Sequence, residues 1–134
     1  MGEKLILSTA QWQAMRRHVS RRSPLEACGL LAGKDGRVEL AIGIPNAERS
    51  PLRFRMEPRA QMRAFQRIES AGLDLLGIYH SHPDGPDHPS ETDIAECLYL
   101  VAQLIWYRAD GRWQARGYKI EGRRVSEIAL EKIS

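Results

Sequence analysis

Two histidines separated by one residue, His80 and His82, close an apolar run that begins Leu75-Leu76-Gly77-Ile78-Tyr79. Read as a strand, the run sends successive side chains to opposite faces, so both imidazoles point to one side. After ten intervening residues stands Asp93, across the turn-rich loop Pro83-Asp84-Gly85-Pro86-Asp87-His88-Pro89 and within the helix opening Ser90-Glu91-Thr92-Asp93. A carboxylate in that first turn can face back toward the strand. Two nitrogens and one oxygen leave a fourth tetrahedral position for water, the arrangement of a catalytic rather than a structural zinc site. The chemistry this predicts is hydrolysis.

Ser90 and Asp93 also fit a capping box, in which each side chain satisfies a backbone amide at the helix start. That reading accounts for the serine and the aspartate and for neither histidine. A further acid, Glu26, stands in the almost wholly apolar run from Leu25 to Gly33. Burying an unpaired carboxylate raises its pKa and costs several kcal/mol unless a partner offsets it. At the outer end of a strand Glu26 reaches water; beside a metal-bound water it gains a task as general base. Cys28 shares its face under strict alternation and reads as core, because a thiolate ligand would close the open coordination position. His88, among Asp and Pro residues, reads as solvent-facing, with a contact to the open metal position as the other reading.

Those residues need a scaffold. The chain has 134 residues, a common size for one domain, with 43% hydrophobic and 28% charged residues. No apolar run approaches the roughly 20 residues that cross a bilayer, and the start lacks the apolar core of a secretory signal, so a cytoplasmic protein is expected. Two cysteines, Cys28 and Cys97, form no Cys-X-X-Cys pair. The net charge of +3 comes without a long basic run, which speaks against a nucleic-acid arm.

Ser8 is placed as a helix N-cap with Gln11 at the reciprocal position, and Leu7 with Trp12 as a staple. Trp12, Met15 and Val19 carry that helix's inward stripe, while Arg16, Arg17, His18, Arg21 and Arg22 form a solvated face. Asp35-Gly36 marks a hairpin turn before a strand over Val38 to Ile44, and Leu52 to Met56 alternates as a short strand. A second helix starts at Glu57-Pro58, turns Met62, Phe65 and Ile68 inward and ends at Gly72. The third helix carries Ile94, Cys97 and Leu98 inward. Leu100 to Tyr107 and Trp113 to Ile120 form a hairpin around Asp110-Gly111, with Trp106, Tyr107, Trp113 and Tyr118 in cross-strand packing. The tail from Val125 to Ile133 alternates as an edge strand, which leaves pairing of two copies open.

Glu26, His80-X-His82, Ser90 and Asp93 together resemble the JAMM motif of the MPN-domain metallopeptidases. Three blocks extend the likeness over nearly the whole chain: Pro24-Leu25-Glu26-Ala27-Cys28-Gly29-Leu30-Leu31, Phe54-Arg55-Met56-Glu57-Pro58 and Gly77-Ile78-Tyr79-His80-Ser81-His82-Pro83. The resemblance implies an α+β fold in one domain over residues 1–134, with a mixed curved sheet, helices packed on both sides and a likeness to cytidine deaminases. It implies that His80, His82 and Asp93 bind one Zn2+, that Glu26 activates the zinc-bound water, and that Ser90 helps stabilise the oxyanion. The family cleaves amide or isopeptide bonds after the C-terminal glycine of ubiquitin or ubiquitin-like proteins. A chain with little room for insertions is similar to the members that trim ubiquitin-like sulfur-carrier proteins, so the implied partner is such a carrier ending in Gly-Gly. A metal-free MPN scaffold serving assembly is the alternative, although such members generally lose motif residues and all five stand here. A zinc deaminase would need a Cys-X-X-Cys ligand pair that this chain lacks.

Overall fold

The computed structural model of the chain describes residues 3–134. The elements run β1 (Lys4–Ser8), α1 (Thr9–Arg22), β2 (Cys28–Lys34), β3 (Arg37–Ile44), α2 (Pro58–Ser70), β4 (Asp74–His82), α3 (Glu91–Ala95), β5 (Ala102–Ala109), β6 (Arg112–Glu121) and β7 (Arg124–Ile133). All seven strands join one mixed sheet in the order β1-β3-β2-β4-β5-β6-β7, which closes into a barrel where β7 lies parallel to β1. Two hairpins turn on Asp35-Gly36 and Asp110-Gly111, with φ of 52° and 77° in the first and 53° and 74° in the second. Left-handed conformation at both central residues matches the right-handed twist of the flanking strands, which is why Asp-Gly serves there.

The strands β2 and β4 are buried on both faces, and alternation divides their side chains between two cores. On one face Leu31, Tyr79, Leu104 and Trp106 pack with Trp12, Met15 and Val19 of α1. On the other, Cys28, Leu30, Ala32 and Ile78 pack with Ala64 and Ile68 of α2. The helices thus cover opposite faces, as expected. At the start of α1 both capping-box bonds form: Ser8 Oγ accepts from the Gln11 amide (3.1 Å) and Gln11 Oε1 from the Ser8 amide (2.8 Å). Leu7 and Trp12 join the same core beneath them. Among the described residues no helix is long and apolar enough to cross a membrane.

Several expected details differ. Met62 is 62% exposed, and the inward positions of α2 belong to Ala64 and Ile68 with Phe65 half-buried. Four-residue spacing from Ala60 carries the buried stripe, and the larger methionine lies off it. The third helix is a single short turn and a half, so Leu98 falls in an irregular segment and is 86% exposed, while Cys97 is half-buried. Residues 52–56 form no strand; a lone bridge pairs Asn46 with Met56. The tail strand is not an edge. β7 pairs with β6 on one side and with β1 over Lys4–Ser8 on the other, which removes the free edge on which pairing of two copies rested. The aromatic residues of β5 and β6 are not cross-strand partners of one another, since the register sets Trp106 opposite Ala115, Tyr107 opposite Gln114 and Trp113 opposite Arg108. Trp106 packs instead on Trp12, with centroids 4.8 Å apart, and the Arg108 guanidinium lies over Trp113. His18 is not solvated: its Nδ1 lies 2.6 Å from the Tyr79 hydroxyl.

Candidate metal centre

The end of β4 delivers both histidines to the α2 side of the sheet, where they are buried with 1% and 3% exposure. Asp93 reaches them from the first turn of α3. His80 Nε2 and His82 Nε2 lie 3.1 Å apart, and Asp93 Oδ2 lies 3.1 Å from the first and 3.0 Å from the second. An ion held tetrahedrally at about 2.0–2.1 Å separates its donors by about 3.3 Å, so this near-equilateral triangle has close to the right edge.

Proton accounting points the same way. His82 Nδ1 lies 2.7 Å from the carbonyl oxygen of Pro86, which only accepts, so Nδ1 carries the proton and Nε2 of the neutral ring presents a lone pair. That nitrogen faces a carboxylate oxygen, an arrangement that calls for a cation between them, a metal ion or, without one, a proton on Nε2. The three donors fit zinc.

The helix cap and the donor set are the same structure. Ser90 Oγ accepts from the Asp93 amide (3.0 Å), and Asp93 Oδ2 accepts from the Ser90 amide (2.9 Å) while facing both imidazoles. The capping box therefore locks the aspartate rotamer that points at the histidines. Ser90 spends a lone pair on the cap and keeps its hydroxyl proton to donate. Burial pushes the Asp93 carboxyl up, but hydrogen bonds and charge from His80 and His82, with the Ser90 amide, hold it well below the usual carboxylate range. Burial lowers the His80 pKa despite Asp93. For His82 burial also acts downward, and hydrogen bonding to Asp93 and Pro86 with the nearby carboxylates reverses it, so its pKa is raised.

Glu26 lies just before β2 and is 3% exposed, with Oε1 meeting no hydrogen-bond partner among the described residues. Burial pushes its carboxyl up to about 8, tempered by His82 and reinforced by Asp93. Its main chain is held on both sides, the amide donating to Ser50 O (2.8 Å) and the carbonyl accepting from Asn46 Nδ2 (3.1 Å). The next residue, Ala27, donates to Ser81 Oγ (2.8 Å) and accepts from the Ser81 amide (3.0 Å). Ser81 sits between the two histidines, so the acid and the donor strand are stapled together.

Cys28 lies opposite His80 in the ladder but outside the donor cluster; its thiol contacts Ile44 O at 3.3 Å and burial pushes it up to about 12. His88 is exposed against Asp87 at 3.2 Å and does not join the cluster. Sequence reasoning missed Phe54, whose ring stacks on His80 with centroids 4.6 Å apart and planes at 27°. The signal available was its place in the Phe54-Arg55-Met56-Glu57-Pro58 block. Beside the donors opens a cavity of about 420 Å³, walled by Phe54, Met56, Ile78 and Tyr99 with His80 and Asp93 at one side.

The pattern described as prokaryotic homologs of the JAB domain matches residues 8–120. The chain belongs to that family. It is a JAMM-type peptidase by its relatives. A probable TtuB-protein conjugate cleaving protease of Thermus thermophilus is 40% identical over 131 residues, covering 96% of this chain and 85% of its own. A CysO-cysteine peptidase of Mycobacterium tuberculosis is 35% identical over 133 residues, covering 96% and 91%. The solution structure of a Desulfitobacterium hafniense protein, 30% identical, superposes with a TM-score of 0.88 over 97% of this chain and 93% of that one.

Proposed function

We propose that residues 1–134 act as one domain, in the cytoplasm, as a zinc-dependent peptidase that hydrolyses the amide or isopeptide bond after the C-terminal Gly-Gly of a ubiquitin-like sulfur-carrier protein. The observation that carries this reading is the buried triangle of His80 Nε2, His82 Nε2 and Asp93 Oδ2, with its 3.0–3.1 Å edges, beside an unpartnered buried carboxylate. Support for the substrate class comes from the relatives, one named for cleaving protein conjugates of TtuB and one for a CysO-cysteine bond. The fold's likeness to cytidine deaminases belongs to the same proposal.

His80, His82 and Asp93 would hold one Zn2+, which would supply Lewis acidity and lower the pKa of water at the site from about 15.7 toward 7. Glu26 takes a proton from the attacking water at its free Oε1 and delivers it to the departing amine, leaving a carboxylate on the carrier. A carboxyl with raised basicity suits both halves of that transfer. The Ser90 hydroxyl donates to the carbonyl oxygen as negative charge grows there. The groove walled by Phe54, Met56 and Tyr99 takes the carrier's tail in extended form, and glycines leave room for the chain to pass close to the donors.

The test begins with metal. Protein purified without added metal or chelator should hold about one zinc per chain by the stoichiometry of three donors and one open position. His82→Ala should lose it and all cleavage of a Gly-Gly-linked carrier. A wild-type protein that takes up no zinc at micromolar concentration would overturn the peptidase reading in favour of a metal-free scaffold.

A further inference from the structure

The two histidines are held in different ways. His82 has the usual outer support of a metal-binding imidazole, its Nδ1 proton given to Pro86 O at 2.7 Å. His80 has none: its Nδ1 is buried and meets no hydrogen-bond partner among the described residues. A ring without that bond is free to rotate and swing unless something else sets its plane. The flat face of Phe54 does so, 4.6 Å away and 27° from parallel.

Phe54 stands in the irregular segment between β3 and α2, which Asn46 pins into shape. Asn46 Nδ2 donates to Arg53 O (3.2 Å) and Glu26 O (3.1 Å), and Asn46 Oδ1 accepts from the amides of Glu48 (2.9 Å) and Arg55 (3.0 Å). One side chain thereby ties the base of Phe54 to the backbone of Glu26. The outer part of Phe54 also walls the cavity beside the donors.

We propose that Phe54 is a positioning residue for the metal centre: its ring stack replaces the missing hydrogen bond on His80 and fixes the angle at which His80 Nε2 presents its lone pair. The proposal rests on the zinc-peptidase reading only for the identity of the ion. Its prediction concerns affinity, and holds whether or not the carrier substrate is correctly assigned. Because Phe54 shares a wall with the groove, a chain lying there touches the same ring that orients His80.

The test compares zinc affinity by chelator competition in wild type, Phe54→Leu, Phe54→Tyr and Met56→Ala. Leucine keeps apolar volume and loses the flat face; tyrosine restores the face; Met56 is a buried groove residue of the same core without a stack on His80. Phe54→Leu should bind zinc about 10-fold more weakly, within the range that loss of outer support produces. Phe54→Tyr and Met56→Ala should stay within about threefold of wild type, well short of that range. The visible ligand-field bands of the Co2+-substituted protein should change in Phe54→Leu and be restored in Phe54→Tyr, a readout that a loss of packing alone does not move. Wild-type affinity and spectrum in Phe54→Leu would overturn the proposal, as would an equal loss in Met56→Ala. Failure of the wild type to bind zinc at all is instead the failure of the peptidase reading, and the two results are distinguishable in the same titration.

Discussion

Adjacent residues of β4 bury two polar clusters on opposite faces of one strand, and the clusters behave differently. On the α1 side, Tyr79 places its hydroxyl 2.6 Å from His18 Nδ1, with the rings edge to face at 5.8 Å. Donor meets acceptor and the pair is complete within the protein. On the α2 side, His80, His82 and Asp93 bring their free atoms to within 3.1 Å of one another, while Glu26 Oε1 and His80 Nδ1 find no partner among the described residues. A buried polar group left without a partner costs about 1–3 kcal/mol. The first cluster therefore stabilises the fold, and the second carries a cost that a bound ion and a substrate can offset.

Removing atoms from each face separates these roles. His82→Ala gives the largest effect, since it abolishes both metal and turnover. Glu26→Gln comes next. With zinc retained, loss of a general base should lower kcat by roughly 100- to 10,000-fold. The same variant should be more stable than wild type when both are stripped of metal. The Glu26 carboxyl is held near 8 against an ordinary 4.5, so between those values the folded state binds more protons than the unfolded chain. Its contribution is then fully present below the unfolded value and is lost as pH rises through the folded one, at about 1.4 kcal/mol per pH unit. Denaturant unfolding in chelator should show wild-type stability falling across that window and Glu26→Gln remaining flatter. Parallel pH profiles would mean that the carboxyl is not held neutral.

How much of this was legible in the sequence follows from how local each feature is. The donor triangle was legible because a strand's alternation and one tight loop bring His80, His82 and Asp93 together. The Ser8 and Ser90 caps and the Asp-Gly turns were legible for the same reason, each being decided within four residues. The barrel closure was not, because β1 and β7 meet across the whole length of the chain and short alternating segments look like edges until a partner is found. Phe54 was invisible as a neighbour of His80, since its path depends on Asn46 side-chain bonds rather than on any repeat. His18 looked like one more polar residue on an arginine-rich helix. What buries it is Tyr79, whose ring lies where a side chain on Gly29 would stand, so a glycine inside an apolar strand was the available hint.

Ser90 tests whether cap and chemistry can be separated on the donor side. Ser90→Ala removes the cap oxygen and the free hydroxyl proton together. The cap should cost about 1 kcal/mol of stability, and loss of an oxyanion donor should lower kcat about 100- to 1,000-fold with zinc still bound. Metal content and single-turnover cleavage measured on the same sample distinguish the two. Near-wild-type turnover would leave Ser90 as a cap alone.

The smallest effect on catalysis should come from the other face. Tyr79→Phe deletes one hydroxyl and leaves His18 Nδ1 facing an apolar ring in a half-buried position, at a cost of about 1–2 kcal/mol. Burial, with Arg22 and Arg21 nearby, already lowers the His18 pKa below its ordinary 6.5. The unfolded chain therefore takes up the proton first, and stability falls as pH drops through the unfolded value and toward the folded one. Tyr79→Phe should lower the unfolding midpoint at neutral pH while zinc affinity and turnover stay at wild-type values, because Tyr79 and His80 point to opposite sides of the strand. A matching loss of zinc affinity would break the comparison. It would mean that β4 transmits strain from its stabilising face to its reactive one, and that the two clusters form a single unit.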